Sequence, residues 1–233
     1  MKAVILAGGI GTRLRPVTLE IPKPLVTVKK KPIVNYLIEL FGKHGIKETA
    51  LVIHKDHVED YKWWEARYAP TWPKMKITVI AEKEMAGTMG ALRYVRDWGR
   101  GEPLLVSNGD EIKDFDLGDM VRFHARHMPA ATIALVKVKE PQHYGVAVMR
   151  RQRIHDFLEK PEKPPSSYIN SGLYILNPII FAYDNPKEKH LMLERHLFPA
   201  LAKERKLAGY KVKGGKWFDC GTLERWEAAI NKV

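Results

Sequence analysis

An almost continuous apolar run opens the chain, from Lys2 to Ala7. Such a run is typical of a strand that is buried on both faces of a parallel sheet. The prolines that follow do not suit a helix interior, so we expect a loop before the next regular element. Pro32 then begins an amphipathic stretch that predicts a helix to about His44, closed by Gly45.

Apolar runs and amphipathic stretches alternate along the next part of the chain. Strands that alternate with helices indicate βαβ units and a doubly wound parallel sheet. The pattern predicts strands at Thr49–Ile53, Lys76–Ile80, Pro103–Ser107 and Thr132–Val138, interleaved with helices at Asp56–Tyr68, Gly90–Trp98 and Leu117–His127.

From about residue 140 onward the strand patterns are shorter and lie closer together. No linker separates two independent domains. We therefore expect residues 1–233 to form a single α/β domain with a Rossmann-like, doubly wound, mixed and mostly parallel sheet. The pattern predicts strands at Gly145–Arg150, Arg153–Leu158, Tyr168–Leu176 and Tyr210–Val212, a loop at Lys160–Pro165, and helices at Leu191–Arg205 and after Thr222.

Composition narrows the class of protein. Of the 233 residues, 45% are hydrophobic and 28% are charged, which suffices for a sizeable core and excludes a mostly disordered chain. No apolar run approaches the roughly 20 residues of a membrane-spanning helix. The single cysteine, Cys220, excludes an internal disulfide framework and fits a reducing compartment. We therefore expect a soluble cytoplasmic protein without a membrane partner.

The net charge of +12 invites a nucleic-acid hypothesis. The basic residues are spread along the whole chain, however, and only Lys29–Lys31 form a short run. No nucleic-acid-binding motif accompanies them. We expect a basic surface that solvates the fold, with attraction of small polyphosphates as the alternative, and no nucleic-acid partner.

A glycine-rich segment, Gly8-Gly9-Ile10-Gly11, follows the first predicted strand. Ligands bind outside the carboxyl ends of strands in open α/β sheets, and glycines there let backbone N–H groups approach phosphate oxygens. The segment lacks the third glycine of the dinucleotide fingerprint and the Gly-Lys-Ser/Thr ending of a P-loop. By itself it fits either a phosphate loop, with Arg13, Arg15 and Lys23 nearby, or a structural turn.

The longer string LAGGIGTRLRPVTLEIPKPLVTV, Leu6 to Val28, resembles the signature of the sugar-1-phosphate nucleotidyltransferases, the NDP-sugar pyrophosphorylases. The resemblance extends over nearly the whole chain, with the motifs in family order. The further motifs are Gly87-Thr88-Met89-Gly90-Ala91-Leu92, Asn108-Gly109-Asp110, Tyr144-Gly145-Val146, Glu159-Lys160-Pro161, Asn170-Ser171-Gly172-Leu173-Tyr174 and Trp217-Phe218-Asp219-Cys220-Gly221-Thr222.

The resemblance implies the nucleotide-diphospho-sugar transferase fold and a Mg²⁺-dependent reaction. The family couples a nucleoside triphosphate to a sugar 1-phosphate and releases pyrophosphate. Such a reaction needs in-line alignment and neutralisation of clustered negative charge more than covalent help from the protein. The resemblance implies a nucleotide-binding half at 1–140 and a sugar-phosphate-binding half at 141–233, with a homo-oligomer as an option.

The resemblance also implies roles for individual residues. Arg13 grips the departing pyrophosphate, Lys23 meets the α-phosphate, and Lys160 holds the sugar phosphate. The catalytic residues are then Arg13, Lys23 and Asp110. The implied nucleotide contacts are Leu6, Ala7, Gly8, Gly9, Gly11, Thr12, Arg13, Glu82, Gly87, Thr88 and Asp110, and the sugar-phosphate contacts are Gly145, Glu159, Lys160 and Asn170.

The implied metal ligands are Asp110 and Asp219. Mg²⁺ is a hard cation that prefers oxygen ligands, so two carboxylates with phosphate oxygens suit it. Plainer interpretations exist for three of these charged residues. Asp110 fits an Asn-Gly-Asp turn, Asp219 fits a helix cap, although Thr222 is the better placed cap, and Lys23 fits a solvated loop.

The family reads the base in the segment that begins at Glu82. Guanine offers adjacent N–H donors to an ionised carboxylate, so Glu82 favours GTP, and the alternative is a solvated glutamate. Short guanylyltransferases of this family act on mannose or heptose 1-phosphates, so the resemblance implies an acceptor of that type. Two departures from the family pattern are Met89 in place of alanine and Met192 in place of serine. The alternatives are thymidylyl or uridylyl transfer to glucose-type 1-phosphates, cytidylyl transfer to phosphocholine, and a non-catalytic NDP-sugar-binding regulatory protein.

Overall fold

The computed structural model describes every residue from Met1 to Val233. Thirteen strands are present: β1 Lys2–Ala7, β2 Thr27–Val28, β3 Lys31–Pro32, β4 Glu48–His54, β5 Lys76–Glu82, β6 Leu104–Asn108, β7 Glu111–Lys113, β8 Ala131–Lys137, β9 Gly145–Arg150, β10 Arg153–Glu159, β11 Tyr168–Leu176, β12 Leu207–Lys211 and β13 Trp217–Asp219. The α-helices are α1 Ile33–Lys43, α2 Val58–Tyr68, α3 Gly87–Gly90, α4 Leu117–His127, α5 Phe198–Lys203 and α6 Leu223–Lys232. None of the helices has the length and apolar content that crossing a bilayer needs.

The chain forms two compact units that alternate along the sequence. The first unit consists of Met1–Met85, Ser107–Phe115 and Gly215–Val233, and the second of Ala86–Val106 and Asp116–Gly214. The expectation of one domain, with halves that meet at residue 140, stays a prediction.

In the first unit, β1, β4 and β5 pair in parallel, with Ala7 opposite Ile53 and His54 opposite Glu82. Helix α1 buries its apolar face, and its Asn35 accepts a hydrogen bond from the indole of Trp64 at 2.8 Å. The adjacent Trp63 is exposed. Trp64 is therefore a core residue that joins α1 to α2.

A separate core in the first unit supports the loop after β1. Its buried members come from that loop, from β2, α1 and β7, from the segment between β13 and α6, and from α6 itself. They are Leu14, Val26, Val28, Ile33, Ile112, Cys220 and Ala229. This cluster anchors distant parts of the chain around the glycine-rich segment, because burial of apolar surface is the main stabilising term in folding.

The second unit contains a mixed sheet in the order β11-β8-β12-β10-β9. Strands β8 and β12 pair in parallel, whereas β11–β8, β12–β10 and β10–β9 are antiparallel. Phe198 of α5 covers the sheet, with its ring centroid 5.3 Å from that of Phe157 and 5.2 Å from that of Tyr174. The mixed character predicted for the sheet is confirmed here.

Most predicted elements are confirmed, and β1, α4, β9 and β11 have the expected bounds. The helix predicted at Gly90–Trp98 is wrong, since α3 spans Gly87–Gly90 and continues as a 3-10 helix to Val95. Two glycines within one turn favour this short, irregular form.

The helix predicted at Leu191–Arg205 is also wrong at its start. A π-helical turn at Leu193–Leu197 precedes α5. Pro199 lacks the backbone N–H that a continuous α-helix would need at that position. Strands β7 and β13 were not predicted, because three residues are too few to show a period.

Candidate functional site

The glycine-rich segment leaves the sheet at the carboxyl end of β1. Gly11 has a left-handed φ of 70°, and its carbonyl accepts hydrogen bonds from the Leu14 amide at 2.9 Å and the Thr18 hydroxyl at 2.8 Å. A Cβ on Gly9 would meet no atom within 4 Å. Protein packing therefore does not demand glycine at position 9, whereas the close approach of a ligand to its backbone would.

Arg13 lies in the short helix Thr12–Leu14 that follows the glycines. Leu14 is fully buried, which anchors the turn and leaves Thr12 and Arg13 exposed. The Arg13 guanidinium has no carboxylate partner within the chain. Its planar fork of N–H donors is thus available to a phosphate.

Lys23 is buried, with 6% of its surface exposed, between Pro22 and Pro24. Its ammonium donates a hydrogen bond to Oδ2 of Asp110. The interpretation of Lys23 as a solvated loop residue is therefore wrong. Burial alone would raise the pKa of the Asp110 carboxyl, but the charges of Lys23 and Lys113 outweigh burial and lower that pKa below its ordinary value.

The turn that carries Asp110 is tied to the end of β1. The Gly109 amide donates to the Leu6 carbonyl at 2.9 Å, and a Cβ on Gly109 would lie 2.9 Å from that oxygen and 3.1 Å from Cγ2 of Ile5. Only glycine fits this approach. The contact brings Asp110 to the strand end at which the glycine-rich segment begins.

Asp219 lies across a small antiparallel ribbon from this turn. It stands opposite Glu111 where β13 pairs with β7, and the Cys220 amide donates to the Asp110 carbonyl at 3.1 Å. The Asp219 carboxylate accepts from Arg225 at 2.5 Å and from the Gly221 amide at 2.7 Å. Asp110 and Asp219, 109 residues apart in sequence, are therefore neighbours in the first unit.

The final helix begins at Leu223, directly after Thr222, as predicted. Its hydroxyl accepts from the Arg225 amide at 3.3 Å, so Thr222 and not Asp219 caps α6. The thiol of Cys220 is fully buried, and burial raises its pKa to about 12. The thiol is therefore protonated at neutral pH.

Sequence reasoning missed a buried charged pair beside Asp110. Glu111 accepts from the Trp217 indole at 2.8 Å and from Asn108 at 3.2 Å, and Lys113 lies 2.9 Å from the same carboxylate. Lys113 also donates to the Ser107 hydroxyl at 3.0 Å. Burial raises the pKa of Glu111 to about 7, although Lys113 opposes the shift. The alternation of charges around Ile112 was the available signal, but Glu and Lys are usually surface residues.

Glu82, at the carboxyl end of β5, is buried with 4% of its surface exposed. A Cβ on Gly8 would collide with Oε1 of Glu82. The carboxylate therefore lies against the backbone of the glycine-rich segment, and the solvated interpretation is wrong.

The second unit holds the remaining nucleotide candidates, Gly87 and Thr88. Gly87 has a φ of 77°, and a Cβ there would collide with the Leu191 carbonyl oxygen. The same oxygen accepts from the amides of Met89 at 2.9 Å and Gly90 at 3.2 Å. The turn is thus fixed in place by the segment that precedes the π-helical turn.

The sugar-phosphate candidates also lie in the second unit. Gly145 stands opposite Glu159 where β9 pairs with β10, and a Cβ on Gly145 would lie 2.5 Å from the ring of Phe157. Lys160 follows with a φ of 50°, and its half-exposed ammonium lies 3.7 Å from the Glu159 carboxylate. Asn170 in β11 is buried, and the adjacent Ile169 pairs with Val146 of β9. The candidate sugar residues are therefore grouped on adjacent strands.

Comparison with known proteins identifies the family. The family model of the nucleotidyl transferases matches residues 2–233. Mannose-1-phosphate guanyltransferase beta-A of Xenopus laevis is 40% identical over 225 residues, which are 95% of this chain and 61% of that protein. Mannose-1-phosphate guanylyltransferase 1 of Arabidopsis thaliana is 38% identical over 232 residues and is covered to the same 61%. The chain thus spans about three fifths of the length of these relatives.

Solved structures agree with the sequence comparison. A putative glucose-1-phosphate thymidylyltransferase of Bacillus anthracis superposes with a TM-score of 0.90 at 25% identity, covering 99% of this chain and 94% of that one. A UDP-glucose pyrophosphorylase bound to UDP-glucose gives a TM-score of 0.82 at 26% identity, covering 99% and 97%. The predicted fold class, that of the nucleotide-diphospho-sugar transferases, is confirmed.

Proposed function

This chain belongs to the nucleotidyl transferase family, and from that premise we propose that it transfers a nucleotidyl group from a nucleoside triphosphate to a sugar 1-phosphate. The observation that carries the proposal is the Lys23–Asp110 pair at the end of the glycine-rich segment. A buried ammonium and carboxylate, beside backbone amides and an unpaired arginine, suit the handling of polyphosphate charge.

In the proposed reaction, an oxygen of the sugar phosphate attacks the α-phosphorus. A new P–O bond forms, the bond between the α-phosphorus and the bridging oxygen breaks, and pyrophosphate leaves. Arg13 and the amides of Gly8, Gly9 and Gly11 hold the departing pyrophosphate. Lys23 keeps one N–H on Asp110 and directs its remaining donors to the α-phosphate, where charge accumulates in the transition state.

Nucleotidyltransferases in general depend on a divalent metal. The donor chemistry of Asp110 and Asp219 fits Mg²⁺, which prefers oxygen ligands and usually takes only one or two carboxylates, with waters and substrate phosphates as further ligands. We propose that these two carboxylates hold Mg²⁺, which supplies charge neutralisation on the phosphates when bound.

The sugar phosphate is assigned to the second unit. Lys160 holds the phosphate through its ammonium. Glu159 accepts hydrogen bonds from the sugar hydroxyls, and the Asn170 amide donates one to them. The lack of a side chain at Gly145 leaves the Phe157 ring and the Glu159 carboxylate close to the backbone of β9. Sugar hydroxyls can then reach the backbone and the carboxylate together.

We propose GTP and a mannose-type 1-phosphate as the substrates. Glu82 is a buried carboxylate, and guanine presents adjacent N–H donors that a carboxylate accepts. The names of the relatives at 38% to 40% identity support the same pair. The lone reduced cysteine supports the cytoplasm as the place of action, and small molecules rather than nucleic acid are the expected partners.

The direct experiment measures pyrophosphate release with Mg²⁺ across five nucleoside triphosphates, each combined with mannose, glucose, N-acetylglucosamine and heptose 1-phosphates. We expect turnover to be fastest with GTP and mannose 1-phosphate. Faster turnover with dTTP or UTP and glucose 1-phosphate would contradict the substrate assignment while retaining the reaction. Silence from folded protein that binds nucleotide would favour phosphocholine as the acceptor or a non-catalytic sensor.

A further inference from the structure

A buried carboxylate outside the predicted site connects two of its parts. Glu194 lies in the π-helical turn of the second unit with 8% of its surface exposed. Its Oε2 accepts a hydrogen bond from the Thr88 hydroxyl at 2.7 Å, and its Oε1 accepts from the Tyr174 hydroxyl at 3.4 Å. Thr88 is a nucleotide candidate, and Tyr174 lies in the strand that carries the sugar candidate Asn170.

One branch of hydrogen bonds runs from Glu194 through Tyr174 of β11 to Asn170, and it fixes the orientation of the Asn170 side chain. The Tyr174 hydroxyl accepts from the Asn170 amide nitrogen at 2.9 Å, and the Asn170 amide oxygen accepts from the Gly172 amide at 2.8 Å. These two bonds define which end of the Asn170 amide is the donor. One of its two N–H groups remains for a ligand.

The second branch runs from Glu194 to Thr88, and the Thr88 hydroxyl also bonds the first residue of the π-helical turn that contains Glu194. The Thr88 hydroxyl accepts from the Leu193 amide at 2.8 Å and donates to Glu194. Thr88 thereby satisfies a first-turn amide that no side chain at Met192 caps. The Met192 sulfur lies 3.1 Å from where a Cβ on Gly87 would stand. The departure from serine at 192 is thus compensated by Thr88.

We propose that Glu194 is a positioning residue that fixes Thr88 and Asn170 in one hydrogen-bond network, so that it sets the affinity for both substrates without contacting either. The inference rests on the proposed function, which gives Thr88 to the nucleotide and Asn170 to the sugar. Both hydroxyls donate toward Glu194, so the carboxylate is the common acceptor of the two branches. Without it, each branch would lose the partner that orients its ligand-binding member.

Electrostatics indicate that the carboxylate needs its donors. Burial raises the pKa of Glu194, and the hydrogen bond from Thr88 opposes that shift while the charge of Glu159 adds to it. A buried acceptor that loses its donor carries the full desolvation penalty. The network is therefore a defined arrangement and not an incidental contact.

The test compares variants that cut one branch or both. Tyr174→Phe removes only the hydroxyl between Asn170 and Glu194, and we expect the KM for sugar 1-phosphate to rise about fivefold with the KM for nucleotide unchanged, the effect of one neutral hydrogen bond. Thr88→Val should raise the nucleotide KM by a similar factor, and Thr88→Ser, which keeps the hydroxyl, should restore it. Glu194→Gln should raise both KM values, because an amide cannot accept from both hydroxyls as the carboxylate does.

Tyr183→Phe is the matched control. It removes another tyrosine hydroxyl that donates to a glutamate, here Glu204 at 2.6 Å on the surface of the same unit, and should leave both KM values unchanged. A loss of kcat alone in all variants, or equal KM changes in Tyr174→Phe and Tyr183→Phe, would overturn the inference.

A readout without substrate separates this inference from the proposed function. We expect amide hydrogen exchange in Glu194→Gln to accelerate at both 87–90 and 170–174, and in Tyr174→Phe at 170–174 alone. Unchanged exchange at both segments in Glu194→Gln would refute the network, whatever the activity. Silence of the wild-type protein with every substrate, accompanied by the expected exchange pattern, would refute the proposed function and leave the coupling standing.

Discussion

Replacing Lys23 with methionine should both destabilise the protein and abolish the proposed nucleotidyl transfer. The variant leaves the Asp110 carboxylate without its buried ammonium, while a methionine of similar length fills the space. Lys23 is 8% exposed at its side chain and Asp110 is 30% exposed. The pair thus lies between surface ion pairs, worth about 0.2–1 kcal/mol, and fully buried pairs, whose disruption costs about 3–5 kcal/mol.

We expect a loss of about 2 kcal/mol at pH 7.5, which for a chain of this length lowers Tm by about 4–8 °C. The pKa of Asp110 is lowered in the folded protein, so the pair stabilises above the unfolded pKa of about 3.9 and loses this effect as pH falls through the folded value. The difference between wild type and Lys23→Met should therefore be largest at neutral pH and shrink below about pH 4.

Urea denaturation at pH 7.5 and pH 4 measures this difference, and a double-mutant cycle with Asp110→Asn isolates the pairwise free energy. Lys43→Met is the matched control, because Lys43 forms an exposed pair with Asp114 at 3.5 Å and should change stability by less than about 0.5 kcal/mol. Equal stabilities of wild type and Lys23→Met at both pH values would refute the reasoning.

Three further predictions concern glycines, a hairpin and the cysteine. The free energy of unfolding of Gly9→Ala should lie within about 0.5 kcal/mol of wild type, because a Cβ at position 9 meets nothing, but the variant should release pyrophosphate at least tenfold more slowly. Gly87→Ala should lose at least about 1 kcal/mol of stability, because the φ of Gly87 is 77° and a Cβ there would collide with a carbonyl oxygen. Urea denaturation measures the stabilities, and a pyrophosphate assay measures the turnover. Lys29→Asn with Lys30→Gly should gain about 0.5–1 kcal/mol in thermal denaturation, since both residues have positive φ in the hairpin of β2 and β3. Cys220, whose thiol pKa is raised to about 12 by burial, should resist iodoacetamide at pH 8 in the folded protein and react once urea unfolds it; rapid labelling of folded protein would contradict its burial.

Strong periodicity made much of the fold predictable. The continuous apolar run of β1 and the amphipathic pattern of α4 each gave an element with its correct bounds. The hydrophobic pattern gave wrong bounds where individual residues, and not periodicity, determine the backbone conformation. The segment that begins at Leu191 reads as one helix, but Pro199 and the hydrogen bond from the Leu193 amide to Thr88 divide it into a π-helical turn and α5.

Sequence motifs named the candidate residues, whose roles stay predictions, but did not show the environment of their side chains. Lys23 and Glu82 carry charges, and charged residues are usually solvated, so composition alone favours the surface for both. Their burial depends on partners 87 and 74 positions away in sequence, namely Asp110 and Gly8. The burial of Glu111 and Lys113 depends in the same way on the pairing of β7 with β13. Strands of three residues are too short for that pairing to be predicted from the sequence.

The measurement that tests the central claim most directly is pyrophosphate release by wild type and by Asp110→Asn with GTP, mannose 1-phosphate and Mg²⁺, with circular dichroism to establish that both are folded. The wild-type protein should release one pyrophosphate for each nucleotide sugar formed. Asp110→Asn should lose nearly all turnover, because it removes both the partner of Lys23 and a proposed metal ligand. Full activity in folded Asp110→Asn would contradict both the assignment of Asp110 as a metal ligand and the role of the Lys23–Asp110 pair in the proposed reaction.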